Sequence, residues 1–313
     1  MKNHLAEIEK IKEHFPLILE ERFSPVSSGT HYDVYVSSNY VVRCRDDEPE
    51  LLKREGEFLL KLDHVLIPKV AWMDTVSFPA AMIEKRIPGR TIDTVWRSLN
   101  ERQKGQVVGD VVVFVKYLRT LHYTSIYSVW TGKTYSHFMD YLIEGIEQKL
   151  VEIQKFKKTS RVLDDIRLLL ARSGEIKSLF DISQYSLIHG DLIIHNMLTD
   201  NERLTGVLDW ELALYGDPDY DLCRLFYYRE CAQAYRKQGI DETYEAEYMD
   251  MLVEDIENSG IVGDREVFQR KYEFVRAIFF VSALYWDVRS EDPENNLEGT
   301  IDLWNINKSR AEH

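Results

Sequence analysis

The sequence predicts an α+β protein in which a β-sheet-containing N-terminal part precedes a mainly helical remainder. Three observations carry this expectation. Short apolar runs separated by Ser, Gly and Asn fill residues 23–43 and 70–85. Apolar residues at helical spacing dominate from Val107 onward. Pro88-Gly89 breaks the pattern between the two, and the boundary is placed there: an N-terminal lobe over residues 1–87 and a C-terminal lobe over residues 88–313, the latter carrying one β-hairpin.

Taken in order, Leu5, Ile8, Ile11 and Phe15 recur at helical spacing, so an amphipathic helix opens the chain. Phe23–Val26, Asp33–Ser37 and Tyr40–Arg43 read as short strands, with turns at Ser27-Ser28-Gly29-Thr30 and Ser38-Asn39. Glu50–Leu62 reads as a helix whose apolar arc holds Leu51, Leu52, Phe58, Leu59 and Leu62. Glu55 lies inside that arc and Glu57 opposite it. A carboxylate facing a core needs a partner, because an unpaired buried charge is costly. Val70–Met73 and Ala80–Lys85 read as two further strands. Helices are expected from Val107 to about Leu121, across Ser136–Lys155 and Val162–Ser173, and again from Asp219. The hairpin falls between Leu187 and Trp210.

The 313 residues allow roughly two domains at about 150 residues each. Apolar residues make up 44% and charged residues 29%, with a mean hydropathy of −0.34, which excludes a disordered or collagen-like chain. The longest apolar runs, Val111–Val115 and Ala277–Trp286, fall short of the roughly 18 residues of a membrane span. Residues 1–12 have no signal-peptide core, so a cytoplasmic location and no membrane partner are expected. Cys44, Cys223 and Cys231 lack CxxC spacing, which argues against a disulfide scaffold or a zinc ribbon. A net charge of −14 and a pI near 5.2 argue against nucleic acid as a partner. Residues 222–313 hold 11 Lys/Arg and 19 Asp/Glu, so much of the acidity sits in the last third. That balance either favours cationic partners or reflects solubility alone. Nothing in the sequence sets an oligomeric state.

The segment richest in chemistry is His189-Gly190-Asp191, followed by Asn196, with Asp209 thirteen residues later. A strand at Leu187-Ile188 leads into Asp191. Met197-Leu198 and Leu204–Leu208 form a hairpin about Asp200–Arg203, so Asp191, Asn196 and Asp209 are expected to converge at one edge. Two carboxylates and an amide suit a hard, oxygen-seeking cation such as Mg²⁺. They also suit a base placed beside it, the set that phosphoryl transfer needs. Two other readings stand beside this one: a hairpin with solvated polar ends, and a zinc site built from His189, Asp191 and His195, which lacks a recognised ligand motif.

The segment resembles the Brenner-type motif of the aminoglycoside phosphotransferase and choline kinase superfamily. Gly in H-G-D, where protein kinases have Arg, points to its small-molecule branch. Gly216-Asp217-Pro218-Asp219-Tyr220-Asp221-Leu222 matches the G-D-P-x-x-D-L run that follows in that family. The resemblance covers roughly residues 20–290 and is specific at these motifs. It implies a bilobal protein-kinase-like fold. It also implies a Mg²⁺-dependent kinase moving the γ-phosphoryl group of ATP or GTP to a small-molecule hydroxyl. Asp191 would be the catalytic base, and Asn196 and Asp209 the metal ligands. His189 and Asp221 would support the catalytic loop, although Asp221 reads equally well as a helix cap.

The resemblance assigns nucleotide binding to the N-terminal lobe. Ser27, Ser28 and Gly29 lie where the family has a phosphate-covering loop; with one glycine, the segment also reads as a plain turn. Arg43 lies where the family usually has Lys. Arg keeps the charge but differs in geometry, and macrolide phosphotransferases of the superfamily tolerate it. Glu55 falls where the family has the helix Glu that pairs with that cation, so Arg43 would supply the partner Glu55 needs; the pair could also be purely structural. Met82 and Glu84 fall at the linker between lobes, where the family's backbone reads the purine edge. Trp210-Glu211 replaces the Phe-Gly of protein kinases, with Glu211 expected near the metal or facing solvent.

An aminoglycoside-like, cationic acceptor is expected from the acidity of the last third. Glu230, Asp287 and Glu291 are candidates to meet its ammonium groups, with Asp292 beside them, and Trp286 with Tyr285 to stack on a sugar or cation. The acidic residues also read as solvated surface, and Tyr285 or Trp286 as helix core. The alternatives are a kinase for a macrolide, a choline-like or a homoserine-like metabolite, or a non-catalytic nucleotide-binding module.

Overall fold

The computed structural model describes residues 5–26, 33–45, 48–76, 80–237, 239 and 243–311. Contacts group the chain into two compact units. The first takes residues 1–103, 128–133 and 191–213; the second takes 104–127, 134–190 and 214–313. The first unit therefore draws on three separate stretches of sequence.

In the first unit, helix α1 (Leu5–His14) is followed by strands β1 (Ser24–Val26), β2 (Asp33–Val36) and β3 (Tyr40–Arg45). Helix α2 (Pro49–Leu59), β4 (Val70–Asp74) and β5 (Ala80–Lys85) complete an antiparallel five-stranded sheet of order β1-β2-β3-β5-β4. Ile8 and Ile11 of α1 pack with Tyr35, Val42, Cys44, Ala81 and Ile83 in one buried cluster, which is why the opening helix has its apolar period. Helix α2 starts at a proline, where a missing N–H costs nothing, and ends three residues earlier than its apolar arc suggests. Leu62 stays buried beyond it, in a turn. Two short elements follow, β6 (Arg90–Thr91) and α3 (Ile92–Val95). Gly89 precedes β6 at φ 134°, and a Cβ there would meet Thr205 Oγ1 at 2.6 Å and Thr199 O at 3.0 Å. Only glycine meets both demands.

The second unit opens with α4 (Glu101–Thr120), whose first turn falls in the first unit, then β7 (His122–Tyr123), β8 (Ile126–Ser128) and β9 (Thr134–Tyr135). The helix expected across Ser136–Lys155 is two helices, α5 (Phe138–Ile143) and α6 (Ile146–Ile153), broken at Glu144-Gly145. Helices α7 (Ser160–Ala171) and α8 (Ser173–Ile176) precede β10 (Tyr185–Ile188). The hairpin of β11 (Met197–Thr199) and β12 (Leu204–Val207) belongs to the first unit, where β11 also pairs with β6. The chain closes with β13 (Leu214–Gly216), α9 (Asp219–Lys237), α10 (Thr243–Asn258), α11 (Arg265–Asp287) and α12 (Pro293–Ala311). The apolar run Ala277–Trp286 lies within α11, most of it buried in the helical core. No helix of the described residues is long and apolar enough to cross a membrane. Strands β6, β7, β8, β9 and β13 have two or three residues each, too few to show a period, so the sequence reading misses them.

Candidate active site

One loop and one strand end carry the predicted chemistry. Asp191 is joined to a single helical turn, Ile194–Asn196, which leads into β11. Asn196 Nδ2 donates to the Asp191 carbonyl at 3.0 Å and to Asp191 Oδ2 at 2.9 Å, so the amide fixes the carboxylate's orientation. Leu208 N donates to Asn196 O at 2.7 Å, tying the loop to the end of β12. Asp209 follows at φ 64°, a left-handed conformation that costs a non-glycine residue about 1–2 kcal/mol. Its neighbour holds it there. Trp210 is fully buried, its indole N–H donates to Val207 O at 2.9 Å, and its backbone N–H donates to Glu55 Oε1 at 3.1 Å.

Strand β3 supplies the cation. Arg43 Nη1 donates to Glu55 Oε1 at 2.6 Å, with Glu84 Oε1 at 3.5 Å and Asp209 Oδ1 at 3.7 Å from the same guanidinium. Glu55 has no exposed surface, and Arg43 is the partner its position on α2 requires. Burial pushes the Glu84 carboxyl up to about 7, against the pull of Arg43 and with the help of Glu55. Burial likewise pushes Asp209 up to about 7; Arg43 opposes this, and the carboxylates of Glu55, Glu211 and Asp191 add to it. Asp209 is divided: Oδ1 is buried without a hydrogen bond, yet the side chain as a whole is 39% exposed.

A second pairing escaped the sequence reading. Arg45, two residues along the same face of β3, sits with Nη1 3.3 Å from Glu211 Oε2 and Nη2 2.6 Å from Glu48 Oε2. Glu211 does not face solvent: it is buried against this arginine, and its charge helps raise the Asp209 carboxyl. The available signal was the matched spacing, Arg-x-Arg on a strand and Asp-x-Glu after another.

These side chains border a cavity of about 600 Å³. Val34, Val41, Pro68, Leu198 and Leu208 give it apolar walls; Arg43, Glu84, Asp191, Asn196 and Asp209 form a polar group on its lining. Lys85, Arg86, Ile87, Gly89, Arg90 and Thr91 also line it. Met82 does not: it is fully buried in mid-β5, paired with Arg43 on one side and Met73 on the other, so the lining stretch begins at Glu84. Ser27, Ser28 and Gly29 lie outside the described residues.

The residues present fit a hard divalent cation. Asn196 spends its N–H₂ on Asp191, which turns Oδ1 into its remaining donor atom, and Asp209 offers a carboxylate with one buried oxygen lacking a hydrogen bond. Mg²⁺ takes oxygen ligands, keeps several waters and shares substrate phosphates, so two protein ligands suffice. The zinc alternative has no matching geometry. His195 Nδ1 lies 3.0 Å from Asp93 Oδ2, and no group of three His, Cys, Asp or Glu side chains among the described residues is arranged to hold a metal.

Within the second unit, Asp221 accepts hydrogen bonds from His189 N at 2.9 Å and Gly190 N at 2.8 Å. Its carboxylate therefore holds the end of β10. Lys271 Nζ pairs with the buried Asp217 at 2.8 Å and with Asp219 at 2.9 Å, so the Gly216–Leu222 run anchors α9 to α11. The acceptor-site candidates all lie in this unit. Glu230 is engaged by Arg276 Nε at 2.7 Å, which neutralises it internally. Asp287 is half-buried, and burial pushes its carboxyl up against a hydrogen bond with Thr300. Trp286 is 59% exposed, and Glu291 is exposed. Tyr285 lies between Lys149 and Arg289, each within 6 Å of its ring.

The sequence model of the phosphotransferase enzyme family matches residues 22–250. Among curated proteins, hygromycin-B 4-O-kinase of Escherichia coli is 33% identical over 70 residues, 22% of this chain and 18% of that protein's length. Among solved structures, a thermostable mutant of aminoglycoside phosphotransferase APH(4)-Ia, in a ternary complex with AMP-PNP and hygromycin B, aligns with a TM-score of 0.69 at 17% identity. That alignment covers 96% of this chain and 98% of the other. The streptomycin–ATP complex of APH(2″)-IIa aligns at 0.65 and 22% identity over 97% of each chain, and ADP-bound APH(2″)-Ib at 0.65 and 20% over 94% and 96%. These likenesses establish a shared kinase-like fold. With the family match covering most of the residues, the chain belongs to the phosphotransferase enzyme family.

Proposed function

We propose that the protein is a Mg²⁺-dependent O-phosphotransferase that moves the γ-phosphoryl group of ATP or GTP to a hydroxyl of an aminoglycoside-like antibiotic. The observation that carries this reading is the meeting of Asp191, Asn196, Asp209 and Arg43 on the lining of one cavity. Asp191, oriented by Asn196, accepts the proton of the acceptor hydroxyl as its oxygen attacks. Arg43, held by Glu55, grips the nucleotide phosphates. Asn196 and Asp209 would hold Mg²⁺. Bound there, the ion would neutralise charge on the phosphate oxygens. The apolar walls take the flat purine, and the Lys85–Ile87 backbone reads its edge. A nucleoside triphosphate co-substrate supports a cytoplasmic location.

The acceptor class rests on two supports. The solved structures of similar fold hold hygromycin B and streptomycin. A net charge of −14 favours a polycationic substrate electrostatically. The test is nucleotide turnover with Mg²⁺, using ATP and GTP in turn, across aminoglycosides, macrolides and choline-like metabolites. Stimulation by a subset of aminoglycosides supports the proposal. Stimulation by a neutral acceptor alone moves the assignment to another small hydroxyl compound. Nucleotide binding without turnover on any acceptor favours a non-catalytic module.

A further inference from the structure

We propose that Arg54 is a positioning residue for phosphoryl transfer: gripped by the turn at residues 128–133, it fixes the roll of α2 so that Glu55 holds Arg43 in place; this rests on the functional reading above. Arg54 Nε donates to Val129 O at 2.7 Å and Nη2 donates to Trp130 O at 2.8 Å. The turn belongs to the first unit, as α2 does. Glu50 and Glu57 stand on the same helix at ion-pair spacing from Arg54, yet the guanidinium turns to carbonyls 75 and 76 residues away. Hydrogen bonds from a charged donor are about twice as strong as neutral ones. The turn is shaped to accept them. Gly132 has φ 68°, and a Cβ there would stand 2.8 Å from Arg54 Cδ.

The contact is more than a local clamp because of where it leads. Val129 is fully buried, and its N–H donates to Ala213 O at 2.9 Å. Ala213 N donates to Trp210 O at 3.0 Å, and Trp210 N donates to Glu55 Oε1 at 3.1 Å. The hydrogen bonds thus leave α2 at Arg54, pass through the segment that follows Asp209, and return to α2 at the next residue, Glu55. Adjacent side chains on a helix point about 100° apart. One pin would let α2 roll about its axis; two pins at that angle stop it. Glu55 delivers the constraint to the site, because Arg43 Nη1 donates to it at 2.6 Å and Arg43 lines the cavity. Arg54 does not line the cavity and so acts through Glu55.

The experiment is calorimetric titration with ATP and GTP, in Mg²⁺ and without acceptor. The proteins are the unaltered chain, Arg54→Ala, Arg54→Lys, Gly132→Ala and Lys53→Ala, with Arg54→Ala and Gly132→Ala also combined with each other and each with Glu55→Gln. Circular dichroism and thermal melting check each fold. Arg54→Ala should weaken nucleotide binding about tenfold. Arg54→Lys, whose ammonium still donates to the turn, should stay within about threefold of the unaltered protein. Gly132→Ala, which pushes the guanidinium off the turn, should match Arg54→Ala and add less than about twofold to it. In the Glu55→Gln background Arg54→Ala should cost less than about threefold, because the carboxylate it positions is gone. Lys53→Ala, at a side chain 43% exposed on the same helix, should leave affinity unchanged. An undiminished loss from Arg54→Ala in the Glu55→Gln background overturns the inference. A lowered melting temperature with nucleotide affinity untouched also overturns it and leaves the turn a stability element. If Arg54→Ala fails to fold, Gly132→Ala with and without Glu55→Gln decides the same question. Absence of any nucleotide binding by the unaltered protein overturns the functional reading itself, a different outcome from binding that Arg54→Ala leaves intact.

Discussion

Removing both members of the Arg43–Glu55 pair should cost less than the two single removals added together. The two charges are 2.6 Å apart, Glu55 is wholly buried, and Arg43 is 8% exposed. Breaking such a pair strands a charge in the interior, at about 3–5 kcal/mol. Glu55→Gln should fall at the low end, about 3 kcal/mol, for two reasons. Arg43 keeps Glu84 at 3.5 Å and Asp209 at 3.7 Å as counter-charges, and the Gln oxygen still accepts from Trp210 N. Arg43→Met should fall at the high end, about 5 kcal/mol, because Glu55, Glu84 and Asp209 then face one another without a cation. The double variant Arg43→Met/Glu55→Gln removes both charges of the pair and keeps the acceptor for Trp210 N. It should be less destabilised than the sum of the single changes by about 2 kcal/mol or more. Urea unfolding followed by tryptophan fluorescence reads this, with the buried Trp210 next to the pair as reporter. Additive single costs, or Glu55→Gln within about 0.5 kcal/mol of the unaltered protein, would refute the reasoning.

Three further outcomes follow. Asp209 and Glu84 have folded-state values raised to about 7, above their ordinary 3.8 and 4.5. Between those limits the folded protein holds protons that the unfolded chain has lost. Stability without metal should therefore decline as pH rises through the window from about 4.5 to 7, then level off; Asp209→Asn should flatten the decline in thermal melts with chelator present. The same proton must leave Asp209 for a cation to bind, so Mg²⁺ affinity should climb with pH through about 7, and a pH-independent titration would count against Asp209 as ligand. In the second unit, a Cβ at Gly216 would collide with the ring of the fully buried Phe138. Gly216→Ala should cost about 2–3 kcal/mol by overpacking, and a neutral change in chemical unfolding would show that Phe138 can step aside.

The features legible in the sequence were those carried by local spacing. Glu55 could be singled out because its place in an apolar arc is a property of eleven consecutive residues. The antiparallel hairpin could be read because Met197-Leu198 and Leu204–Leu208 flank a strong turn. What could not be read is set by long-range folding. Arg45, on β3, and Glu211, in the turn after β12, are 166 residues apart, so no local pattern joins them. Glu230 looked available for a substrate until Arg276, 46 residues on, was found against it. The resemblance puts Met82 at the linker, while the sheet pairs it on both sides. The first unit gathers three separate stretches, and no local pattern announces that grouping.

The most direct test of the central claim, that Asp191, Asn196 and Asp209 form a phosphoryl-transfer site, is the mass of the acceptor after incubation. The unaltered protein and Asp191→Asn are compared with Mg²⁺, ATP or GTP, and hygromycin B, streptomycin or gentamicin. The account predicts an acceptor heavier by one phosphoryl group with the unaltered protein. With Asp191→Asn it predicts a rate lower by about 10²-fold or more at unchanged nucleotide affinity. Phosphorylation at the same rate by both proteins would contradict it.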